Sequence, residues 1–192
     1  MLAEEIEFHP VTPDRWADLE RLFGERGAYG GCWCMWWRIT RAEFEKQHGE
    51  GNRTALKALV DAGKIPGLLA YAAGEPVGWV SVGPREDYPV LGRSWTLKPV
   101  DDQPAWSIVC FFVAKPYRKA GLSERLIGAA VDYARQCGAA IIEGYPVIPR
   151  QESLPEAEAF TGLVSAFERA GFVEAIRRSE KRPIMRYNID LD

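Results

Sequence analysis

The chain has 192 residues, with 24 Lys plus Arg against 27 Asp plus Glu and a formal net charge of −3. Apolar residues make up 47%, enough to build a core, which argues against disorder. The slight acidity disfavours a non-specific nucleic-acid binder, and no apolar run approaches the ~18 residues of a membrane span.

In chain order, Glu5 to Pro10 alternates apolar and polar residues and reads as a short strand. Thr12-Pro13-Asp14-Arg15 is a helix start, followed by Trp16, Leu19, Leu22 and Phe23 at helical spacing. Glycines between 24 and 31 end that helix. A second helix is expected from Arg41, and a third from Asn52 as its cap to Ala62, stopped by Gly63. Gly67 to Ala73 and Pro76 to Val82, joined at Gly74-Glu75, read as a β-hairpin. A polar, proline-containing connection leads from Gly83 to Pro104. Trp106 to Ala114 is rich in β-branched and aromatic residues, as in a buried strand. A basic turn follows, Lys115 to Ser123. Glu124 to Cys137 then carries Leu126, Ile127, Ala130, Tyr133 and Ala134 at helical spacing. Ala139 to Tyr145 is a strand, so a right-handed crossover makes it parallel to the earlier one. A loop over 146–155, a helix over Glu156–Ala170, and strands at Phe172–Arg178 and Ile184–Ile189 complete the order.

Strand, short basic turn and helix make an anion site. The helix start presents free N–H groups and the positive end of its dipole, and Arg118 and Lys119 add charge. The turn lacks the Gly-Lys-Ser/Thr of a Walker loop and the three glycines of a dinucleotide fingerprint. Arg118-Lys119-Ala120-Gly121-Leu122-Ser123, preceded by Val113 and Tyr117, instead resembles the acyl-coenzyme A loop of the GNAT N-acetyltransferase superfamily. Ser123 stands where that loop has Gly or Ala. Phe167 to Phe172 resembles the family's Tyr-x-x-x-Gly-Phe element, with Phe167 in place of the tyrosine.

The resemblance covers most of the chain. It implies a mixed α/β fold: a central, mostly antiparallel sheet with one splayed parallel pair and helices on both faces. It also implies acetyl-CoA as acetyl donor and a small-molecule amine as acceptor. Arg118, Lys119, Ala120, Gly121, Leu122 and Ser123 would hold the pyrophosphate, and backbone groups of Phe111, Phe112 and Val113 the pantetheine arm. A backbone N–H of that strand would polarise the thioester carbonyl. Family members often form homodimers, and the late strands offer edges for pairing.

Acetyl transfer to an amine also needs a proton acceptor. Glu143, on the strand parallel to the central one, is the expected base, placed near the mouth of the gap. The thiolate loses its usual acid at Phe167; Tyr145, Thr161 and Ser165 are the replacements in view. Trp33, Trp36 and Trp37 share one side of a helix start in Tyr29–Arg38, and aromatic walls there would suit a flat, apolar or cationic acceptor. Arg38 could instead favour an acceptor carboxylate.

The four cysteines do not suggest a disulfide framework, and Cys110 and Cys137 fall in expected core elements. Cys32-x-Cys34 lacks two further ligands at a recognisable spacing, so no metal is expected. The acidic opening Met1-Leu2-Ala3-Glu4-Glu5 does not read as a secretion signal, and a single cytoplasmic domain over 1–192 is the expectation. A non-catalytic acyl-CoA sensor on the same fold is the alternative that Phe167 favours.

Overall fold

The computed structural model describes residues 5–149 and 159–190. A seven-stranded sheet runs in the order β1-β2-β3-β4-β5-β7-β6. The strands are β1 (Ile6–Pro10), β2 (Gly67–Ala72), β3 (Glu75–Pro84), β4 (Trp106–Val113), β5 (Ile141–Gly144), β6 (Val173–Arg177) and β7 (Pro183–Asn188). Every pairing is antiparallel except β4 with β5. The helices are α1 (Trp16–Phe23), α2 (Arg41–Lys46), α3 (Glu50–Asp61), α4 (Pro89–Arg93), α5 (Leu122–Gln136) and α6 (Val164–Arg169).

The central strands β2, β3 and β4 are buried on both faces, which explains their nearly continuous apolar sequences. In β2, Leu68 and Ala70 pack with α5, while Leu69 and Tyr71 pack with α1 on the opposite face. The β2–β3 hairpin turns through Ala73 and Gly74, both with positive φ, in the turn geometry that matches strand twist. Thr40 and Glu43 form a capping box on α2.

β4 and β5 pair only from Trp106↔Ile142 to Ile108↔Gly144. The strands then part. A bulge at Val109 shifts the β3–β4 register, since Ser81 faces Cys110 while Val82 faces Ile108. Beyond it the Phe111 N–H turns into the gap and donates to the Phe160 carbonyl at 2.7 Å, while the Ala114 N–H donates to Val77 of β3 at 2.9 Å. Backbone direction alternates along a strand, so the Val113 amide faces the gap with Phe111 and the Phe112 amide faces β3.

Several sequence expectations change. Helix α3 begins at Glu50 with Gly49 as its cap; Asn52 lies inside it, fully buried, and donates to the Gly31 carbonyl at 3.1 Å. The late helix is interrupted: Ala159 is helical, the chain turns through Gly162 at φ +87°, and α6 begins at Val164; residues 150–158 lie outside the described residues. The tryptophan segment is a series of turns, with Trp33 and Cys34 at φ 43° and 52°, so helical spacing does not govern it. Cys137 is exposed at the end of α5, outside the core.

Candidate active site

The basic turn leads from the end of β4 into α5. Gly121 caps α5 with φ +86°, a left-handed conformation that favours glycine, and open space surrounds the position of a β-carbon. The first four N–H groups of a 15-residue helix have no intrahelical acceptor. Arg118 and Ser123 line a cavity of about 910 Å³, together with Val113 and, across it, Arg26. Arg118 also donates from Nε to the Val113 carbonyl at 2.9 Å, which ties the turn to the end of β4. Leu122 is buried against Gly78, so only its backbone can meet a ligand. Lys119 and Ala120 complete the bend.

A second cavity, of about 410 Å³, opens from the first. Phe111, Phe112, Phe160, Ala28, Tyr29, Gly30 and His48 border both. Its far end is closed by Trp36, Trp37, Phe44 and the thiols of Cys32, Cys34 and Cys110. Trp37 stacks on Phe160 with ring centroids 6.4 Å apart, and Trp36 meets Phe44 edge-on at 5.2 Å. No Asp or Glu is among the described residues lining this second cavity.

Two of the three expected aromatic wall residues, Trp36 and Trp37, are here. Trp33 is not: it packs in the core against Trp16 and Phe23. Its indole lies over Gly27, where a β-carbon would come within 2.2 Å of Nε1. Arg38 also lies elsewhere, donating to the Pro66 carbonyl and the Tyr88 hydroxyl and stacking on the Tyr88 ring.

Glu143 and Tyr145 belong to a different structure. Glu143 pairs with Ser107 within the joined part of the β4–β5 ladder, at the closed end of the gap rather than its mouth. It is 1% exposed and held by Arg85 at 3.2 Å and Arg186 at 2.7 Å. The Tyr145 hydroxyl meets Arg85 at 2.5 Å, Ser107 at 2.8 Å and Glu143 at 3.2 Å. Burial, reinforced by the Glu143 charge, pushes the Tyr145 phenol up from its ordinary value. Neither residue lines either cavity. The other replacement acids are no nearer: Thr161 is buried and accepts from Arg182 at 3.3 Å, and Ser165 is exposed on α6.

Sequence reasoning missed His48 and Phe160, and took in Tyr29 only as part of the aromatic segment. His48 sits where the two cavities meet, its ring edge-on to Phe44 at 5.9 Å. Its position is built from the next helix. The Gly31 carbonyl accepts from both Gly49 N and Asn52 Nδ2 at 3.1 Å, and Gln47 Nε2 donates to Asn52 Oδ1 at 3.3 Å. The buried Asn52 is the local signal: a polar residue where helical spacing calls for an apolar one.

The thiols are packing groups. Cys34 and Cys110 have sulfurs 3.0 Å apart, and the Trp79 indole donates to Cys34 at 3.1 Å. Burial pushes the Cys34 thiol well up; Cys32 is pushed up by its hydrogen bond with Cys34 and then by burial. Thiols held protonated are poor nucleophiles.

Comparison with known proteins fits this geometry. The family model described as "Acetyltransferase (GNAT) family" matches residues 33–148, and the chain belongs to that family of acetyltransferases, whose acetyl donor is acetyl-CoA. Among solved structures, an N-acetyltransferase from Staphylococcus aureus Mu50 shares the fold with TM-score 0.57 and 10% identity, over 97% of this chain and 99% of that one. A GNAT-family acetyltransferase from Streptococcus pneumoniae matches with TM-score 0.54 and 14% identity, over 97% and 100%. YncA from Salmonella typhimurium, solved with its cofactor acetyl-CoA, matches with TM-score 0.52 and 14% identity, over 97% and 95%. No curated protein matches the sequence. No helix among the described residues is long and apolar enough to cross a membrane.

Proposed function

We propose that this protein is a cytoplasmic, single-domain N-acetyltransferase that moves the acetyl group of acetyl-CoA to the amine of a small molecule by direct attack. The observation that carries this reading is the meeting of two cavities. One ends at the amides of the α5 start; the other is a chamber walled largely by aromatic rings; Phe111, Phe112 and His48 stand at their junction.

The α5 amides, Arg118 and Ser123 suit a pyrophosphate. The gap-facing amides of Phe111 and Val113 suit the pantetheine arm and the thioester carbonyl. Acetyl-CoA supplies the acetyl group as a thioester. The acceptor nitrogen bonds to the acetyl carbon, the carbon–sulfur bond breaks, and the nitrogen gives up one proton. His48 is placed to take that proton, since its ring borders both cavities. Tyr29, which borders both as well, is placed to return a proton to the departing sulfur. This replaces Glu143 and Tyr145 in those roles. The charged groups around the coenzyme cavity near His48 are Glu25, Arg26 and Arg118. β6 is an outer edge of the sheet, where a second copy would pair.

The test is thiol release from acetyl-CoA with a panel of amines, alongside binding. Amine-dependent release that falls at least tenfold in His48→Gln, with acetyl-CoA binding kept, supports the reading. Binding without turnover on any amine would make the protein a sensor instead.

A further inference from the structure

From the composition of the inner cavity we infer that the acceptor is a flat aromatic amine that enters uncharged. This rests on the acetyltransferase reading above and names its substrate class.

Three observations carry it. First, the walls are ring systems in two orientations: Trp37 and Phe160 are near parallel at 27°, and Trp36 and Phe44 near perpendicular at 84°. Such walls receive a planar ring by offset stacking and edge contact. Second, no carboxylate among the described lining residues is present to hold an ammonium. An alkyl ammonium or polyamine would leave water without a partner of opposite charge, which is unfavourable. Third, the residue that would have read an acceptor carboxylate, Arg38, is committed to Pro66 and Tyr88. A zwitterionic amino acid therefore finds neither counter-charge among the described residues lining this inner cavity.

An arylamine meets each condition. Its nitrogen is uncharged at neutral pH because the lone pair is shared with the ring. Its ring fills the chamber, and its nitrogen lies toward the junction. After attack the nitrogen loses one proton to His48.

The test compares kcat/KM for aniline, 4-methoxyaniline, phenethylamine, lysine and spermidine with saturating acetyl-CoA, with acetyl-CoA binding measured separately by calorimetry. The inference expects the anilines to exceed lysine and spermidine by tenfold or more. Trp37→Leu should raise KM for 4-methoxyaniline several-fold while leaving acetyl-CoA affinity within twofold. On unmodified protein, acetanilide should inhibit competitively against the amine and N-acetyl-lysine should not, which keeps the test independent of how the variant folds. Preference for lysine or spermidine, with acetyl-CoA bound normally, overturns the acceptor class and leaves the transferase reading standing. Selection of long-chain or aromatic acyl-CoA donors that is lost in Trp37→Leu overturns it too, because the chamber would then hold the donor's chain. Absence of acetyl-CoA binding overturns both.

Discussion

The amide of Phe111 donates to the carbonyl of Phe160 at 2.7 Å, closing the gap between β4 and β5 at the point where those strands have ceased to pair. The same Phe160 ring stacks on Trp37 and borders both cavities. If the donor's carbonyl takes the Phe111 amide, the Phe160 carbonyl must release it. Backbone amide spectra recorded during a titration with acetyl-CoA should therefore show Phe111 and residues 160–162 among the largest shifts. Shifts confined to residues 118–125 would contradict this exchange.

Gly121→Val forces a β-branched residue into a left-handed conformation, which costs roughly 1–2 kcal/mol. Nothing crowds the site, so the strain is in the backbone and the fold should survive. Relaxation of the turn redirects the α5 amides. Acetyl-CoA affinity should fall more than tenfold, as read by calorimetry, with a modest drop in Tm.

The Glu143 network should prove structural. Glu143→Ala leaves two guanidiniums facing an emptied site and should destabilise the protein by about 3–5 kcal/mol, measured by denaturant unfolding. Acetyl-CoA affinity of the remaining folded protein should be unchanged. A stable variant with lost turnover would restore Glu143 to the chemistry.

Phe167→Tyr does not rebuild an acid. Phe167 is fully buried between Phe111 and Phe172, and its ring lies where a β-carbon on Gly144 would be, 2.1 Å away. An added hydroxyl overpacks this site at a cost of about 1–3 kcal/mol. Tm should fall, and the rate of thiol release should not rise.

The carboxyl of Asp101 is held at about 2, below its ordinary 3.8, chiefly by its hydrogen bond from Arg186, which also grips Glu143. Its folded-state pKa is depressed, so its stabilising contribution is full above the unfolded value and is lost as pH falls through about 2. Asp101→Asn removes that dependence. Between about pH 5 and pH 2, Tm of the variant should decline less than that of the parent chain.

The fold, and the strand–turn–helix that carries the proposed coenzyme loop, were legible because their signals are local. The alternation and β-branching of 106–113, the glycine at 121 and the spacing of Leu126, Ile127 and Ala130 lie within one short stretch. The inner cavity draws its lining from separate stretches between 28 and 37, 44 and 48, and 110 and 112, with Phe160, and no periodicity announces such a convergence. Trp33 shows why spacing misled. Its positive φ turns the indole into the core over Gly27, leaving Trp36 and Trp37 to the cavity. Glu143 misled because a lone carboxylate on an apolar strand looks the same whether it serves catalysis or anchors Arg85 and Arg186. The partners arrive from β7 and from the loop after β3, far away in sequence.

The most direct measurement is a calorimetric titration of the folded protein with acetyl-CoA, repeated on Gly121→Val. A saturable heat with a raised Tm, sharply weakened in the variant, is the predicted result. No heat and no thermal shift from well-folded protein would contradict the assignment of the α5 turn, and with it the transferase.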